Sequence, residues 1–141
     1  MIEYKVIALT FENILALERI RLDAYQMKTN EEDTFYARDL VSGNYFVVGC
    51  FFDGEFIGGA YIKNTYSSLY VDQLFILKKY QNHPYHFGTL LLSYILENKK
   101  LIEEYFQTTF IYSYLDNGPG TQSFYEKFGY VKKNNLMRKY L

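Results

Sequence analysis

One segment of the chain places a single charge inside an apolar run. In 69–77 (LYVDQLFIL), Asp72 is the only formally charged residue. A carboxylate in mid-strand among aromatic side chains is expected to be partly desolvated, which raises its pKa toward the range useful for a general base. The alternative is an aspartate on the solvent face of a strand, since Asp72, Leu74 and Ile76 share one face by the two-residue period.

A second segment, 78–87, is a polar and aromatic loop that leads into Gly88 and Thr89. A loop that enters a helix exposes free main-chain N–H groups and the positive end of the helix dipole, and both bind phosphate oxygens. His83 and His86 either donate further hydrogen bonds to an anion or are solvated loop histidines. A single glycine before a helix also occurs for turn geometry alone, so the motif by itself is a weak indication of an anion site.

Patterns in the first half of the chain predict the elements that position these segments. A strand at 2–9 precedes a helix capped by Thr10, and a second short helix is predicted through 35–41. Asp53-Gly54 separates two β-rich runs, 45–52 and 55–62, and therefore predicts a hairpin with a type I′ turn. Together with 69–77 these runs form three antiparallel strands.

The second half predicts a helix, a strand, a helix and a closing strand, at 88–105, 108–115, 119–128 and 130–141. The passage from strand 69–77 through a helix to strand 108–115 implies one parallel pair, because a crossover helix returns the chain to the same end of the sheet. The predicted fold class is α/β, with a mixed, mostly antiparallel central sheet.

The composition of the chain excludes several classes of protein. The 141 residues fit one domain, 1–141, and 15 basic against 16 acidic side chains argue against binding to nucleic acid or to an anionic membrane. The lone Cys50 and the lack of a Cys/His cluster support neither a disulfide nor a metal site. No apolar run approaches the roughly 20 residues of a membrane span, so a cytoplasmic location is expected. Sixteen Tyr and twelve Phe, with no Trp, suit half-buried strands and pocket walls.

Two stretches of the sequence resemble the GNAT superfamily of acyl-CoA-dependent N-acyltransferases. Residues 72–92 (DQLFILKKYQNHPYHFGTLLL) are similar to the family's strand with an L-F-V-like triplet, its Q/R-x-x-G-x-G/A loop and the helix that follows. Residues 117–130 (NGPGTQSFYEKFGY) are similar to its N-x-x-A-x-x-F-Y-E-K-x-G-F/Y pattern, and FYEKFGY is the more specific match. The strong part of the resemblance spans 69–130.

The resemblance implies a GNAT-like sheet with helices on both faces and a splayed parallel strand pair. The strand before the loop then carries a bulge, and the pantetheine arm of acetyl-CoA, the co-substrate, pairs with main-chain groups in the gap. By the same resemblance those groups come from Phe75, Ile76 and Leu77. The pyrophosphate-binding residues are then His86, Phe87, Gly88 and Thr89.

The resemblance also implies the catalytic residues. Tyr125 matches the family tyrosine that donates a proton to the thiol, although a packed helix aromatic is the alternative. Asp72 lies where several members place a glutamate that takes a proton from the incoming ammonium. Asn117 matches an asparagine that contacts the pantetheine, but it lies one residue farther from Tyr125 than the pattern expects.

The phosphate loop departs from the family pattern. Strict alignment puts His83 at the Q/R place and His86 at the first glycine, so that only Gly88 is kept; alternatively Gln81 fills the first place and two residues are inserted. Pro84 has no N–H and His86 has a Cβ where glycine allows close approach of a ligand. Pyrophosphate binding is therefore expected to be weakened or reshaped.

The function predicted is an N-acetyltransferase that moves an acetyl group from acetyl-CoA directly to a primary amine, without a metal. The acceptor is a small-molecule or peptide amine, and the protein is a monomer or homodimer. The alternative is a catalytically silent GNAT-fold module that binds acyl-CoA or a related ligand as a sensor or interaction protein. The eroded glycine loop is the reason to keep this alternative.

Overall fold

A computed structural model describes residues 1–26, 31–81, 84–116 and 121–141; for 31–35 it describes the backbone only. The elements follow one another in the order β1 (Ile2–Val6), α1 (Phe11–Tyr25), α2 (Glu31–Val41), β2 (Phe46–Phe52), β3 (Glu55–Thr65), β4 (Ser68–Ile76), α3 (Phe87–Glu97), α4 (Lys99–Phe106), β5 (Tyr112–Asp116), α5 (Gln122–Glu126), β6 (Val131–Lys133) and β7 (Leu136–Tyr140). None of the described helices is long and apolar enough to cross a membrane.

The predicted α/β class is confirmed. The seven strands form one sheet in the order β1-β2-β3-β4-β5-β7-β6, in which β4 and β5 are parallel and all other neighbours are antiparallel. Helices α1 and α2 pack on one face through residues such as Leu17 and Leu40, and α3 and α4 pack on the other through Leu91 and Ile102. The arrangement is the mixed, mostly antiparallel sheet with helices on both faces that the sequence predicts.

Two elements of the second half differ from the predictions. The helix predicted over 88–105 is two helices that meet at Asn98, whose backbone leaves helical geometry at φ −104° and ψ 27° and whose side chain donates to the Tyr94 carbonyl at 2.8 Å. The single closing strand predicted over 130–141 is a hairpin, β6–β7, whose turn places Asn134 at φ 57°. The start predicted for the last helix at Pro119 lies outside the described residues.

A β-bulge in β4 fixes the geometry of the middle of the sheet. Tyr61 of β3 pairs with Gln73, whereas the next residue, Ile62, pairs with Val71. Asp72 is therefore the extra residue of the bulge. Because the bulge shifts the alternation of side chains by one, the expectation that Asp72 shares a face with Leu74 and Ile76 is wrong.

The parallel pairing of β4 and β5 ends beside this bulge. The register runs from Ser68 opposite Tyr112 to Val71 opposite Leu115 and goes no further, although β4 continues to Ile76. The second half of β4 therefore has β3 as its only partner strand among the described residues. This is the splayed pair that the resemblance implies.

A buried polar cluster holds α1 against the sheet. The predicted cap is present, since Thr10 Oγ1 accepts the N–H of Asn13 at 3.2 Å. Further along the helix, Arg21 donates to both carboxylate oxygens of Glu18, at 2.8 and 3.1 Å, and the Tyr61 hydroxyl of β3 donates to the same carboxylate at 2.7 Å. Both charged side chains are buried, so the pair fixes the position of the last turn of α1, which carries Tyr25.

We expect Glu18→Ala to destabilise the fold strongly, because it removes the buried carboxylate that accepts hydrogen bonds from both the Arg21 guanidinium and the Tyr61 hydroxyl. The loss should be about 3–5 kcal/mol in the free energy of unfolding, measured by urea denaturation. The matched control is Glu55→Ala, which removes an exposed ion pair with Lys79 and should change stability little. Equal effects of the two substitutions would contradict the role given to the buried cluster.

Candidate active site

The gap between β4 and β5 opens into two adjoining cavities. One, of about 340 Å³, is lined by the end of β4, Gly88 of α3 and Phe124 of α5. The other, of about 320 Å³, is lined by Asp72 and by Asp116 at the end of β5. Four residues line both cavities, which makes them the boundary between the two: Tyr25, Leu74, Thr121 and Tyr125.

Asp72 lies in the second cavity because the bulge turns its side chain toward the α1–α2 layer. Its Oδ2 accepts the Tyr45 hydroxyl at 2.7 Å, and the next residue, Gln73, donates to the Tyr36 hydroxyl at 2.8 Å. Burial raises the pKa of Tyr45, and the hydrogen bond to Asp72 raises it further. The pKa of Tyr36 is raised to about 12, first by burial and then by the Asp72 charge. Both phenols therefore stay protonated at neutral pH, and Tyr45 can donate to the carboxylate.

Tyr125 projects from the short helix α5 to the boundary of the two cavities. Its ring meets Tyr130 edge-on, with 6.3 Å between centroids, and Tyr130 is fixed by a 2.7 Å hydrogen bond between its hydroxyl and Ser113 of β5. Burial raises the pKa of Tyr125, and the charge of Asp116 adds to the rise. The hydroxyl therefore carries its proton across the whole neutral and mildly alkaline range.

The main chain of β4 presents alternate residues to the gap. The N–H of Leu77 donates to Ile57 of β3 at 2.8 Å, and Phe75 pairs with Gly59 of β3 while its ring lies in the core under α1. By the strand alternation, the main-chain groups of Leu74 and Ile76 face the gap. Of the three residues expected to supply main-chain groups there, Ile76 is the one whose N–H and carbonyl point into it.

Two side chains that the sequence did not place at β4 reach its main chain. The Tyr25 hydroxyl donates to the Leu74 carbonyl at 3.0 Å, and the Gln81 amide donates to the Ile76 carbonyl at 2.7 Å. The pKa of Tyr25 is raised to about 12, chiefly by burial and next by Tyr125. Gln81 also donates to the Ala24 carbonyl at 2.9 Å, so it ties the loop to the end of α1.

The predicted phosphate loop leads into α3 beside the first cavity. His86 precedes the helix as an exposed residue whose side chain makes no capping hydrogen bond. Phe87 is buried, and its ring stacks on Tyr85 with 5.0 Å between centroids. A Cβ on Gly88 would meet only Leu74, at 3.9 Å, so packing within the chain does not require glycine here. Gly88 and Thr89 are half-buried, and their first-turn N–H groups lack intrahelical partners.

The structure therefore brings half of the ten predicted site residues to one gap. Asp72, Phe75, Ile76, Gly88 and Tyr125 line its two cavities. His83 and Asn117 lie outside the described residues. Among the lining residues that the sequence did not predict are Tyr25 and Asp116, and Gln81 was predicted only as an alternative match to the phosphate loop. Asp116 carried a signal, since it directly follows a predicted strand that is parallel to the strand of Asp72.

Comparison with known proteins identifies the family to which the chain belongs. The family model of the Acetyltransferase (GNAT) family matches residues 13–130. The fold is similar to that of a GNAT-family protein from Desulfovibrio desulfuricans, with a TM-score of 0.78, 14% identity and 99% of each chain covered.

Two further solved structures contain coenzyme A or a bisubstrate analogue built on it. The PaiA N-acetyltransferase of Thermoplasma acidophilum, in complex with coenzyme A, has a TM-score of 0.68 at 17% identity and covers 100% of this chain and 99% of its own. Arabidopsis thaliana Naa50, in complex with the bisubstrate analogue CoA-Ac-MVNAL, has a TM-score of 0.70 at 16% identity, with 99% of each chain covered. No curated protein sequence matches the chain. The family match, which spans most of the chain, shows that this protein belongs to the GNAT family of acetyltransferases.

Proposed function

We propose that the protein transfers an acetyl group from acetyl-CoA to a primary amine by direct attack. The observation that carries this proposal is the position of Tyr125, which lines both cavities of the gap, opposite the bulged Asp72. One cavity then holds the thioester end of acetyl-CoA and the other holds the amine. Tyr125 is within reach of both.

The residues of the first cavity fit a CoA-type ligand. The free N–H groups in the first turn of α3 suit a pyrophosphate, and Gly88 offers no side chain that would block it. His86, Phe87 and Thr89 complete that turn, and Ile76 offers its main chain to the pantetheine arm. Phe75 and Leu77 support Ile76 from within the β3–β4 ladder, and Asn117 is assigned to the pantetheine by resemblance.

Each chemical role has a residue in the gap. The bound co-substrate supplies an acetyl thioester. Asp72 accepts the proton of the incoming ammonium, directly or through water, and the Tyr45 hydroxyl keeps the carboxylate oriented. The main-chain N–H groups of Leu74 and Ile76 lie where donors to a developing oxyanion are needed. Tyr125 supplies the proton for the leaving thiolate, which its raised pKa keeps available.

The second cavity favours a cationic acceptor. Asp72 and Asp116 both line it, so the charge there is negative. A small-molecule or peptide amine fits this charge, and Naa50 was solved with a peptide-bearing analogue. We also propose that the protein is cytoplasmic and that it acts as a monomer or homodimer.

A second candidate function is a silent module that binds acyl-CoA as a sensor or interaction protein. Two observations favour it: the loop contains Pro84 and an exposed His86, and the carbonyls of Leu74 and Ile76 already accept side-chain hydrogen bonds.

Thermal shift and thiol release separate the two functions. We expect acetyl-CoA and CoA to raise the melting temperature, because either ligand binds only the folded gap. We also expect thiol release when a panel of primary amines is added with acetyl-CoA. Stabilisation without release for any amine would overturn the enzyme and favour the silent module, and no stabilisation would overturn both.

We expect Tyr125→Phe to lower kcat by about a hundredfold or more while CoA affinity changes little, because only the acid proton is lost. The raised pKa of Tyr125 also predicts how kcat depends on pH. Because the phenol stays protonated, the wild-type kcat should show no alkaline decline below the ordinary tyrosine pKa of about 10. The control is Tyr94→Phe on α3, whose ring stacks on Tyr4 away from the gap. An unchanged kcat in Tyr125→Phe would remove it from the mechanism.

We expect Asp72→Asn to lower the rate most at the lower pH values and to recover as the pH rises. Near the pKa of the acceptor amine, about 10.4 for a lysine-like amine, solvent removes the proton that Asp72 otherwise accepts. The rate ratio of variant to wild type is measured across pH. Asp53→Asn is the control, since the hairpin turn also accepts asparagine. A constant ratio would contradict the role of Asp72 as base.

A further inference from the structure

The second half of β4, which has no β5 neighbour, presents open donors and occupied acceptors to the gap. The main-chain groups of Leu74 and Ile76 face the gap by the strand alternation. The Tyr25 hydroxyl donates to the Leu74 carbonyl at 3.0 Å, and the Gln81 carboxamide donates to the Ile76 carbonyl at 2.7 Å. A ligand in the gap therefore meets main-chain N–H groups that are open and carbonyls that already accept a hydrogen bond.

A CoA-type ligand needs both kinds of partner. Its pantetheine arm contains two amide groups, each with a carbonyl that accepts and an N–H that donates. The N–H groups of β4 suit the carbonyls of the arm. The N–H groups of the arm need an acceptor, because a donor that leaves water and finds no partner costs free energy. Since the two carbonyls of β4 are occupied, a side chain is needed to supply that acceptor.

Gln81 is the polar side chain that lines the first cavity alone. Among the described residues, the three hydroxyl side chains of the first cavity also line the second, so they lie at the boundary, beside the thioester end: Tyr25, Thr121 and Tyr125. Gln81 lines only the first cavity, as does Gly88 of α3. It therefore lies along the arm, on the side that leads away from the thioester.

Two hydrogen bonds determine which atom of Gln81 is free. Nε2 donates to the Ile76 carbonyl and also, at 2.9 Å, to the Ala24 carbonyl at the end of α1. Both partners are acceptors, so only the nitrogen of the carboxamide can face them, and both of its hydrogens are used. Within the described part of the chain, Oε1 accepts no hydrogen bond, and Gln81 is exposed. Oε1 is therefore an acceptor that a ligand can reach.

The backbone of Gln81 is fixed as well. Its N–H donates to the Lys78 carbonyl at 3.2 Å, at the end of a single 3₁₀ turn over Lys78–Tyr80. The N–H of Lys78 in turn donates to the Asp23 carboxylate at 2.8 Å. The carboxamide is thus held in place before a ligand arrives, and binding orders this side chain at little entropic cost.

We propose that Gln81 binds the pantetheine arm, with Oε1 accepting the N–H of one of the two arm amides. A chain of hydrogen bonds then runs from the arm through the carboxamide to the Ile76 carbonyl, and Gln81 takes the place of the main-chain acceptor that it covers. The bonds of such a chain strengthen one another by polarisation. This role of Gln81 rests on the proposed binding of acetyl-CoA and adds to it a residue that recognises the arm.

The test compares ligands and variants by binding alone, without an acetyl group or an amine. The ligands are CoA and two CoA analogues, in each of which a different arm amide is replaced by an ester, so that one N–H is lost. Calorimetry gives the ratio of the Kd of each analogue to that of CoA. We expect Gln81→Lys to lower this ratio about fivefold for one of the analogues, the fold-change that corresponds to about 1 kcal/mol for one hydrogen bond.

Gln81→Lys separates the two uses of the side chain. Its ammonium can donate to both carbonyls that Nε2 serves, but it has no acceptor. Its charge attracts the pyrophosphate of all three ligands alike, so the ratio does not depend on it. Gln81→Met has neither donor nor acceptor and should lower the same ratio. Gln107→Lys is the control, since this exposed glutamine at the end of α4 lines neither cavity and receives the same charge.

Unchanged ratios in both Gln81 variants would overturn the proposal. If all three ligands lose affinity equally, Gln81 is a structural tie between the loop and α1. If Gln81→Met binds CoA more tightly and keeps the ratios, the arm displaces the carboxamide and takes the Ile76 carbonyl itself. Either result would contradict an acceptor role for Oε1.

Thiol release tests the acetyl transfer separately. If the ratio falls as expected but no amine gives thiol release, the role of Gln81 stands and the acetyl transfer falls. If amines give thiol release but the ratios do not change, the transfer stands and the role of Gln81 falls. If neither CoA nor its analogues bind, both are overturned.

Discussion

The site depends on one interruption of hydrogen bonding in the middle of the sheet. β4 and β5 pair in parallel as far as Val71 and Leu115 and then separate. A strand edge that loses its neighbour exposes main-chain donors and acceptors that need other partners. In this structure two side chains, Tyr25 and Gln81, take up the carbonyls that the separation exposes. The fold therefore stabilises the gap with its own side chains, and what β4 offers to a ligand there is its main-chain N–H groups.

The gap is lined by several neutral hydrogen-bond donors and by only a few charged side chains. The phenols of Tyr25, Tyr45 and Tyr125 all have raised pKa values because they are buried and lie near carboxylates. Such groups bind and donate without adding charge, so the carboxylates alone set the sign of the potential in the acceptor cavity. The buried Glu18–Arg21 pair behind them fixes α1, which holds Tyr25 at the boundary.

Much of this arrangement follows from the sequence, and the part that does not has a physical reason. The hairpin at Asp53-Gly54, the parallel pair and the location of Asp72 and Tyr125 at one gap follow from turn chemistry, connection rules and family resemblance. The roles of individual residues remain proposals. The sequence did not predict on which face of the sheet Asp72 lies, because a bulge adds one residue that no periodicity in LYVDQLFIL reveals.

Other features near the site could not be predicted from the sequence for a different reason. Tyr25 lies at the end of a helix whose apolar period predicts only packing, and its hydroxyl reaches β4 by tertiary placement of α1. The break at Asn98 is a change in the backbone angles of one residue, which the 3.6-residue apolar period of this segment continues across without a signal. Contacts made between distant segments are thus the part that single-sequence reasoning leaves open.

The bulge at Asp72 also bears on how such a gap arises and disappears in evolution. Val71 and Gln73 already pair with consecutive residues of β3, so loss of the single codon for residue 72 would leave an unbroken ladder. Every side chain before and after it would keep its present face, and the buried Tyr45 hydroxyl would lose the acceptor to which it donates. The strand ladder by itself therefore has no need of this residue, and a lineage that lost it would close the gap while keeping the register of the sheet.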